Sequence, residues 1–558
     1  MGWREHFRAV YSGEEAEQYE PLFEERIARS KRLVPAVNKT VYPETSQDVV
    51  LITYPDQFCR GDEKKLRVFS DFAERYVRDT FNVIHFLPFY PYSSDDGFSV
   101  IDYKKVEASL GDWEDMRRMG ERYQLMIDLV CNHISAKSPW FQQYLEGDRE
   151  YENFFIQADP ETDLTLVTRP RTSPLLTGFD TAWGRRYLWT TFSADQIDLN
   201  YQNPAVLYRM LDIFLEYLEK GASWIRLDAA GFMWKEIGTT CLHLPQTHEI
   251  VKLFRSVMDQ VLANGKLITE TNVPHQDNIS YFGNGFDESH LVYQFPLPPL
   301  VLYSFFRKNA VAITRWAASL ELPSGQTGFF NFLASHDGVG LNPLRRIVEE
   351  TEIQQMIRFY QDTAGALVSY KENSDGSRSA YELNVAYLSA LEGADGKTAG
   401  IRKFLTAHGV LLGIMGIPAI YIHSYIGSRN DNAGVRRTGI NRAINREKNN
   451  LEELIGELEN PKSGRAVIMR EIQRMIRIRR TKDAFEPEAA QEVLQLDDRV
   501  LAFRRKGKTS EVLCLYNFSD ENIEVNCPGI ADRRDLMSGE RMAAAVKLGA
   551  YAFRWISI

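Results

Sequence analysis

From about residue 49 onward, short apolar runs rich in β-branched residues alternate with polar loops and stretches of helical periodicity. The runs are Val49–Tyr54, Val83–Leu87, Leu125–Leu129, Trp224–Leu227, Leu267–Thr269, Leu291–Tyr293, Phe329–Leu333 and Ala419–Ile422. They are continuously apolar rather than alternating, which predicts parallel strands covered on both faces. Between the fourth and fifth runs, Ile250, Val251, Leu253, Phe254, Val257, Met258 and Val261 recur at helical spacing, as a crossover helix requires. Eight strand–helix units predict an α/β fold built on a closed (β/α)8 TIM barrel. The intervals after the third and seventh runs are too long for one helix, so each is expected to hold an inserted subdomain. Near residue 488 the pattern changes to short runs punctuated by glycines, which predicts a small antiparallel β domain.

The expected organisation follows. Residues 1–45 form a helical N-terminal extension. Residues 46–132, 199–337 and 399–487 form the barrel, 133–198 and 338–398 the two insertions, and 488–558 the C-terminal β domain.

Composition narrows the function classes. The chain has 558 residues, 44% of them hydrophobic and 25% charged, which excludes bulk disorder. Lys and Arg total 66 against 76 Asp and Glu, a formal charge of −10 without like-charge blocks. No nucleic-acid or membrane-surface partner is expected, and any anionic ligand must be held by local basic residues. The longest apolar run, Val410–Ile422, is too short to span a bilayer and is expected in the core. The N-terminus lacks the apolar segment of a secretory leader. Cys59, Cys131, Cys241, Cys514 and Cys527 are scattered, so neither a disulfide framework nor a zinc site is expected. A cytoplasmic protein acting on small molecules, as a monomer or homodimer, is the resulting expectation.

In such a barrel, reactive groups collect at the C-terminal ends of the strands. There the chain places Asp95, Asp128, His133, Arg226, Asp228, Glu270, His336 and Asp337. An Asp after a strand is by itself usually a turn or cap residue. Recurrence at the same edge of successive strands is the informative signal. Two carboxylates flanking one sugar are the machinery of glycoside cleavage, and Asp228 and Glu270 on neighbouring strands are candidates for that pair. Arg226, two residues before Asp228, lies on the same side of the strand and would keep that aspartate ionised. Glu270 would need a raised pKa to act as an acid.

The motifs Asp128–His133, Gly221–Gly231, Leu267–Thr271 and Phe332–Asp337 occur in the order found in the α-amylase family, glycoside hydrolase family 13, which this chain resembles. The stretches 51–58, 93–103, 188–200 and 441–446, together with Arg169-Pro170-Arg171, are similar to its sucrose phosphorylase branch. The resemblance covers about residues 46–487 well and the C-terminal region more weakly. Segments 231–236, 268–275, 281–285, 292–302, 331–345 and 421–435 look like the group within that branch whose acceptor is D-glycerate. Glu270-Thr271-Asn272 stands where sucrose phosphorylases carry Glu-Val-His, and Leu341-Asn342-Pro343-Leu344-Arg345 after the His-Asp-Gly motif also departs from them, which weakens sucrose as the substrate.

The resemblance implies retaining phosphorolysis of 2-O-α-D-glucosyl-D-glycerate. Asp228 is then nucleophile, Glu270 general acid/base and Asp337 transition-state stabiliser. Asp95, Phe98, His133, Phe192, Gln196, Arg226, His336 and Arg442 hold the glucose. Arg171 matches the arginine that recognises phosphate in that branch. Beyond the resemblance, Arg345, Lys371 and Arg378 in the second insertion are further basic candidates for phosphate or glycerate, and Glu382 is a candidate to accept hydrogen bonds from acceptor hydroxyls of glycerate. The branch generally works without calcium, so neither metal nor cofactor is expected, with inorganic phosphate as co-substrate. Sucrose or sucrose 6′-phosphate phosphorolysis, hydrolysis or transglucosylation, and an inactive scaffold are the competing readings. Retention of Asp228, Glu270 and Asp337 together opposes the last.

Overall fold

The computed structural model describes residues 2–37, 47–373, 376–527 and 529–558. Eight parallel strands close the barrel: β1 (Val50–Thr53), β2 (Val83–Phe86), β3 (Gln124–Val130), β4 (Ala222–Asp228), β5 (Lys266–Thr269), β6 (Leu291–Tyr293), β7 (Gly328–Asn331) and β8 (Ile417–Tyr421). Each pairs with its sequence neighbours, and β1 closes the ring on β8. Almost every strand residue is buried, as continuous apolar runs require when helices cover the outside. The crossover helix Pro245–Val261 buries all seven residues that carry its periodicity.

Two of the expected runs are placed differently. The seventh strand ends at Asn331, so Phe332 and Leu333 are buried but outside the ladder. The apolar stretch 410–422 divides between the end of helix Gly396–Gly413 and strand β8. Among the described residues no helix is long and apolar enough to cross a membrane.

Both long intervals hold inserted structure. After β3 come the antiparallel pair His133–Ser135 with Gln196–Asp198, a helix at Pro139–Glu146 and the hairpin Leu176–Thr181 with Gly184–Trp189. After β7, Val339–Gly340 joins the hairpin Leu367–Glu372 with Arg378–Asn384 in a three-stranded sheet. The C-terminal region forms a five-stranded sheet in the order 490–497, 500–506, 511–517, 553–557, 534–535.

Helices Trp3–Val10 and Glu14–Val37 precede the barrel, and the expected boundary near 45 lies outside the described residues. Arg26 ties the second of these to the outer barrel helix Pro204–Glu219 through Asp212 at 2.5 Å and Glu219 at 2.6 Å. Tyr11 donates to the Tyr201 carbonyl at 2.6 Å, and His6 meets Glu249 at 2.8 Å. The extension is thus packed onto the barrel wall opposite the strands.

Candidate active site

The C-terminal ends of the strands and both insertions enclose one cavity. Asp228 is the last residue of β4, and Glu270 follows β5 directly. Asp337 stands on the loop after β7. Arg226, buried beneath them, donates from Nη1 to Asp128 Oδ1 at 2.6 Å and to Asp228 Oδ1 at 2.7 Å. Its Nη2 lies 3.9 Å from Glu270 Oε2, so one guanidinium serves both carboxylates of the candidate pair. Asp128 also accepts from His85 Nε2 at 2.9 Å, which makes it the anchor of Arg226 within the barrel core.

Ala229 adopts the left-handed region (φ 52°), a conformation L residues rarely hold without compensation. Its N–H is thereby aimed at Glu270 Oε2, 3.0 Å away.

The electrostatics separate the carboxylates. Burial pushes the Glu270 carboxyl up to about 7, reinforced by Asp228 and Asp337 and opposed by Arg226. Burial also pushes Asp228 upward, with Arg226 and His133 opposing it. Since Arg226 bonds Asp228 directly and stands farther from Glu270, a single proton shared by the pair belongs on Glu270. Asp337 behaves oppositely. Burial would raise it, but Arg442, in an ion pair at 2.6 Å, with Arg446 behind it, holds it well below the usual carboxylate range. Burial keeps the His336 imidazole neutral.

The remaining candidates sit around these three. Asp95 lies in a tight turn where Asp95 and Asp96 both have positive φ, 53° and 47°. The turn is fixed by Asp195, whose Oδ2 accepts from Ser93 and Ser94 at 2.5 Å and from Ser99 at 2.7 Å. A Cβ on Gly97 would meet the Pro88 carbonyl oxygen at 2.8 Å, so the turn can close this tightly only at glycine. Gln196 donates to Asp95 Oδ2 at 3.2 Å, and His133 Nε2–H donates to the Phe98 carbonyl at 2.9 Å. Phe98 stacks on His336 at 4.7 Å and 7°, giving a flat platform. Behind His336 and Asp337, Asn445 donates to the Ser335 and Asp337 carbonyls, both at 3.0 Å, and Arg446 to the His336 carbonyl at 2.7 Å.

Of the residues expected to bind phosphate or the acceptor, Arg171 and Glu382 line the cavity and Arg345 does not. Arg345 is turned toward the Ala380 carbonyl at 3.4 Å and Glu350 at 3.7 Å. Glu382 is buried under the guanidinium of Arg442, with contacts of 2.5 and 3.1 Å, so its oxygens already serve a cation. Arg171 lies over the rings of Phe192 at 5.8 Å and Tyr381 at 5.5 Å, and among the described residues no carboxylate pairs with it. Lys371 also lines the cavity, whereas Arg378 is exposed outside it.

Sequence reasoning assigned no role to Tyr381, Asn342, Asn272 or His243, which complete the wall. Asn272 Nδ2 reaches Tyr381 Oη at 3.4 Å, and His243 Nδ1 contacts Tyr281 Oη at 2.7 Å. The departures from the sucrose phosphorylase pattern at Asn272 and at Leu341–Arg345, which contains Asn342, were the available signals; Tyr381 and His243 had none. Near the nucleophile, buried Lys235 places its ammonium 2.6 Å from both Asn132 Oδ1 and Asp198 Oδ2, and also meets the Phe232 carbonyl. A lysine thus joins the first insertion to the barrel through an oxygen-lined site.

The model of the α-amylase catalytic domain matches residues 53–338, and that of the maltogenic amylase C-terminal domain matches 491–555. The chain belongs to the α-amylase family. It is 47% identical to the glucosylglycerate phosphorylase of Escherichia coli (strain K12), over 95% of both chains. To the glucosylglycerate phosphorylase of Spirochaeta thermophila it is 46% identical, covering 92% of this chain and 90% of that one. Among solved structures, sucrose 6F-phosphate phosphorylase from Thermoanaerobacter thermosaccharolyticum superposes with a TM-score of 0.76 at 24% identity, covering 91% of this chain and 99% of that one. That likeness speaks to the shared family fold.

Proposed function

We propose that this enzyme phosphorolyses 2-O-α-D-glucosyl-D-glycerate to α-D-glucose 1-phosphate and D-glycerate, reversibly and with retention. The observation that carries the reading is a pair of buried carboxylates at neighbouring strand ends, Asp228 bonded directly by Arg226 at 2.7 Å and Glu270 3.9 Å from the same guanidinium and raised to about 7. The identity of 45–47% to relatives named glucosylglycerate phosphorylase supports the choice of acceptor.

The Asp228 carboxylate attacks the anomeric carbon while Glu270 gives its proton to the departing glycerate oxygen. A glucosyl ester forms and the glycosidic bond breaks. Phosphate then attacks from the face glycerate left, Glu270 takes up the proton of the attacking oxygen, and Asp228 is released. Two inversions give net retention. Asp337, held ionised by Arg442, sits where it can accept sugar hydroxyls and stabilise the oxocarbenium-like transition state. Arg171 offers the incoming phosphate a planar fork that matches two of its oxygens. No metal or organic cofactor enters the scheme.

Product analysis tests the reading. Glucosylglycerate, sucrose and sucrose 6′-phosphate are each offered with and without phosphate, and glucose 1-phosphate and glucose are measured. Glucose 1-phosphate from glucosylglycerate alone is the expected result. Its appearance from a sucrose compound instead overturns the acceptor, and free glucose irrespective of phosphate overturns phosphorolysis.

A further inference from the structure

We propose that Lys371 binds the carboxylate of the acid acceptor and thereby selects D-glycerate over neutral polyols. The inference rests on the function proposed above and adds a specificity-determining residue to it.

Lys371 lies on the hairpin strand Leu367–Glu372. Its neighbour Tyr370 is half exposed, while Lys371 lines both the catalytic cavity and the outer groove beside residues 164–169. Strand alternation therefore turns the lysine inward at the entrance. The acidic groups around it are engaged elsewhere: Glu372 pairs with Arg169 at 2.8 Å, and Glu350 lies 3.7 Å from Arg345. Among the described residues no carboxylate forms an ion pair with Lys371. Burial, and then the nearby Arg345, push its pKa down. A half-buried ammonium beside another cation gains from an incoming anion.

The acceptor supplies that anion. In glucosylglycerate the carboxylate is attached to the carbon that bears the glycosidic oxygen. With that oxygen at Glu270, the carboxylate must lie inside the same cavity. Glycerol offers the same hydroxyls without the charge. Arg171 and Lys371 approach from different insertions and differ chemically. The guanidinium, held against Phe192 and Tyr381, is a fixed fork suited to phosphate. The ammonium is a point charge on a flexible stem, suited to a carboxylate that arrives and leaves each turnover. Asn342 lines the same cavity with a buried Oδ1 that has no partner among the described residues, and it can accept an acceptor hydroxyl.

The test is glucosyl transfer from glucose 1-phosphate to D-glycerate and to glycerol, by wild type, K371M and K371R. The ratio of kcat/KM for glycerate to that for glycerol is expected to fall about 10- to 100-fold in K371M, the size of a lost charge-assisted hydrogen bond. K371R, which keeps the charge, retains most of the ratio. If K371M fails to fold, as a thermal melt would reveal, K371Q must show the same fall. An unchanged ratio in the uncharged variants overturns the assignment. So does a loss of phosphate use, measured in phosphorolysis, as large as the loss of glycerate use. A wild-type enzyme with no preference for glycerate overturns the underlying function and the Lys371 assignment together. Preference present in wild type and kept in K371M overturns the assignment alone.

Discussion

The floor and the rim of the cavity are built on opposite electrostatic plans. On the floor each arginine is fixed between two carboxylates: Arg226 lies between Asp128 and Asp228, and Arg442 between Asp337 and Glu382. At the rim Arg171 and Lys371 have no carboxylate among the described residues. A paired, buried floor presents the same field at every turnover, which is what stabilisation of a developing charge requires. An unpaired rim has room for ligands that bring their own charge and leave again. Substitutions on the floor should therefore act on rate for all substrates, whereas those at the rim should discriminate among them.

The sharpest break of this contrast is D228N, which keeps the shape of the side chain and removes the nucleophile. We expect kcat to fall by at least about 10^4-fold with every donor, and no glucosyl ester to be trapped by mass spectrometry. Residual phosphorolysis near the wild-type rate would show that the floor does not work through Asp228.

Next in size is the pH dependence. Glu270 must carry its proton to release glycerate, and burial sets that proton's loss near pH 7. Its protonated form is the active acid, so kcat/KM for glucosylglycerate should fall about tenfold per unit as pH rises above about 7. E270Q should abolish that limb and damage glucosylglycerate far more than α-glucosyl fluoride, whose leaving group needs no proton. An alkaline limb that survives in E270Q would assign the titration to another group.

The same division explains what could be read from the chain. Asp228 and Glu270 sit at or next to strand ends, so finding the strands found the floor. The strands were legible because each is continuously apolar between polar loops, a pattern that burial on both faces produces. Periodicity has its limit at Val410–Ile422, where one apolar stretch serves a buried helix end and then β8. A fully buried helix and a fully buried strand look alike at that length. The rim was less legible because its residues come from loops far apart in sequence. Arg171 belongs to the first insertion, Asn272 to the β5 loop and Lys371 to the second insertion's hairpin. Arg345 and Lys371 look equivalent as charges in a chain. Only the fold turns Arg345 to the Ala380 carbonyl of the hairpin and Lys371, on the hairpin itself, to the cavity.

R171A tests the rim at intermediate scale. The KM for phosphate should rise about 10- to 100-fold, from the loss of a bidentate charge-assisted contact. Hydrolysis of the glucosyl enzyme should fall less, because water needs no cation. Partitioning between glucose 1-phosphate and glucose, measured at fixed phosphate, reads both at once. Equal loss of the two would make Arg171 a support for Phe192 and Tyr381 and not a ligand of phosphate.

The smallest expected effect concerns the ion pair between Arg169 and Glu372, at 2.8 Å with side chains 24 and 29% exposed. It joins a loop of the first insertion to the hairpin of the second, the two segments that carry Arg171 and Lys371. It is the rim's internal counterpart of the floor's pairs, yet water reaches it, so its coupling should be only about 0.5–1 kcal/mol. A double-mutant cycle of R169A and E372A, read by thermal unfolding, should return that value at low salt and less at high salt. The single variants should change KM for glycerate and phosphate by a few-fold and kcat hardly at all, because they loosen the walls without touching the floor. A coupling of several kcal/mol, or a matching loss of kcat, would mean that the rim is as fixed as the floor and that the contrast between them fails at this pair.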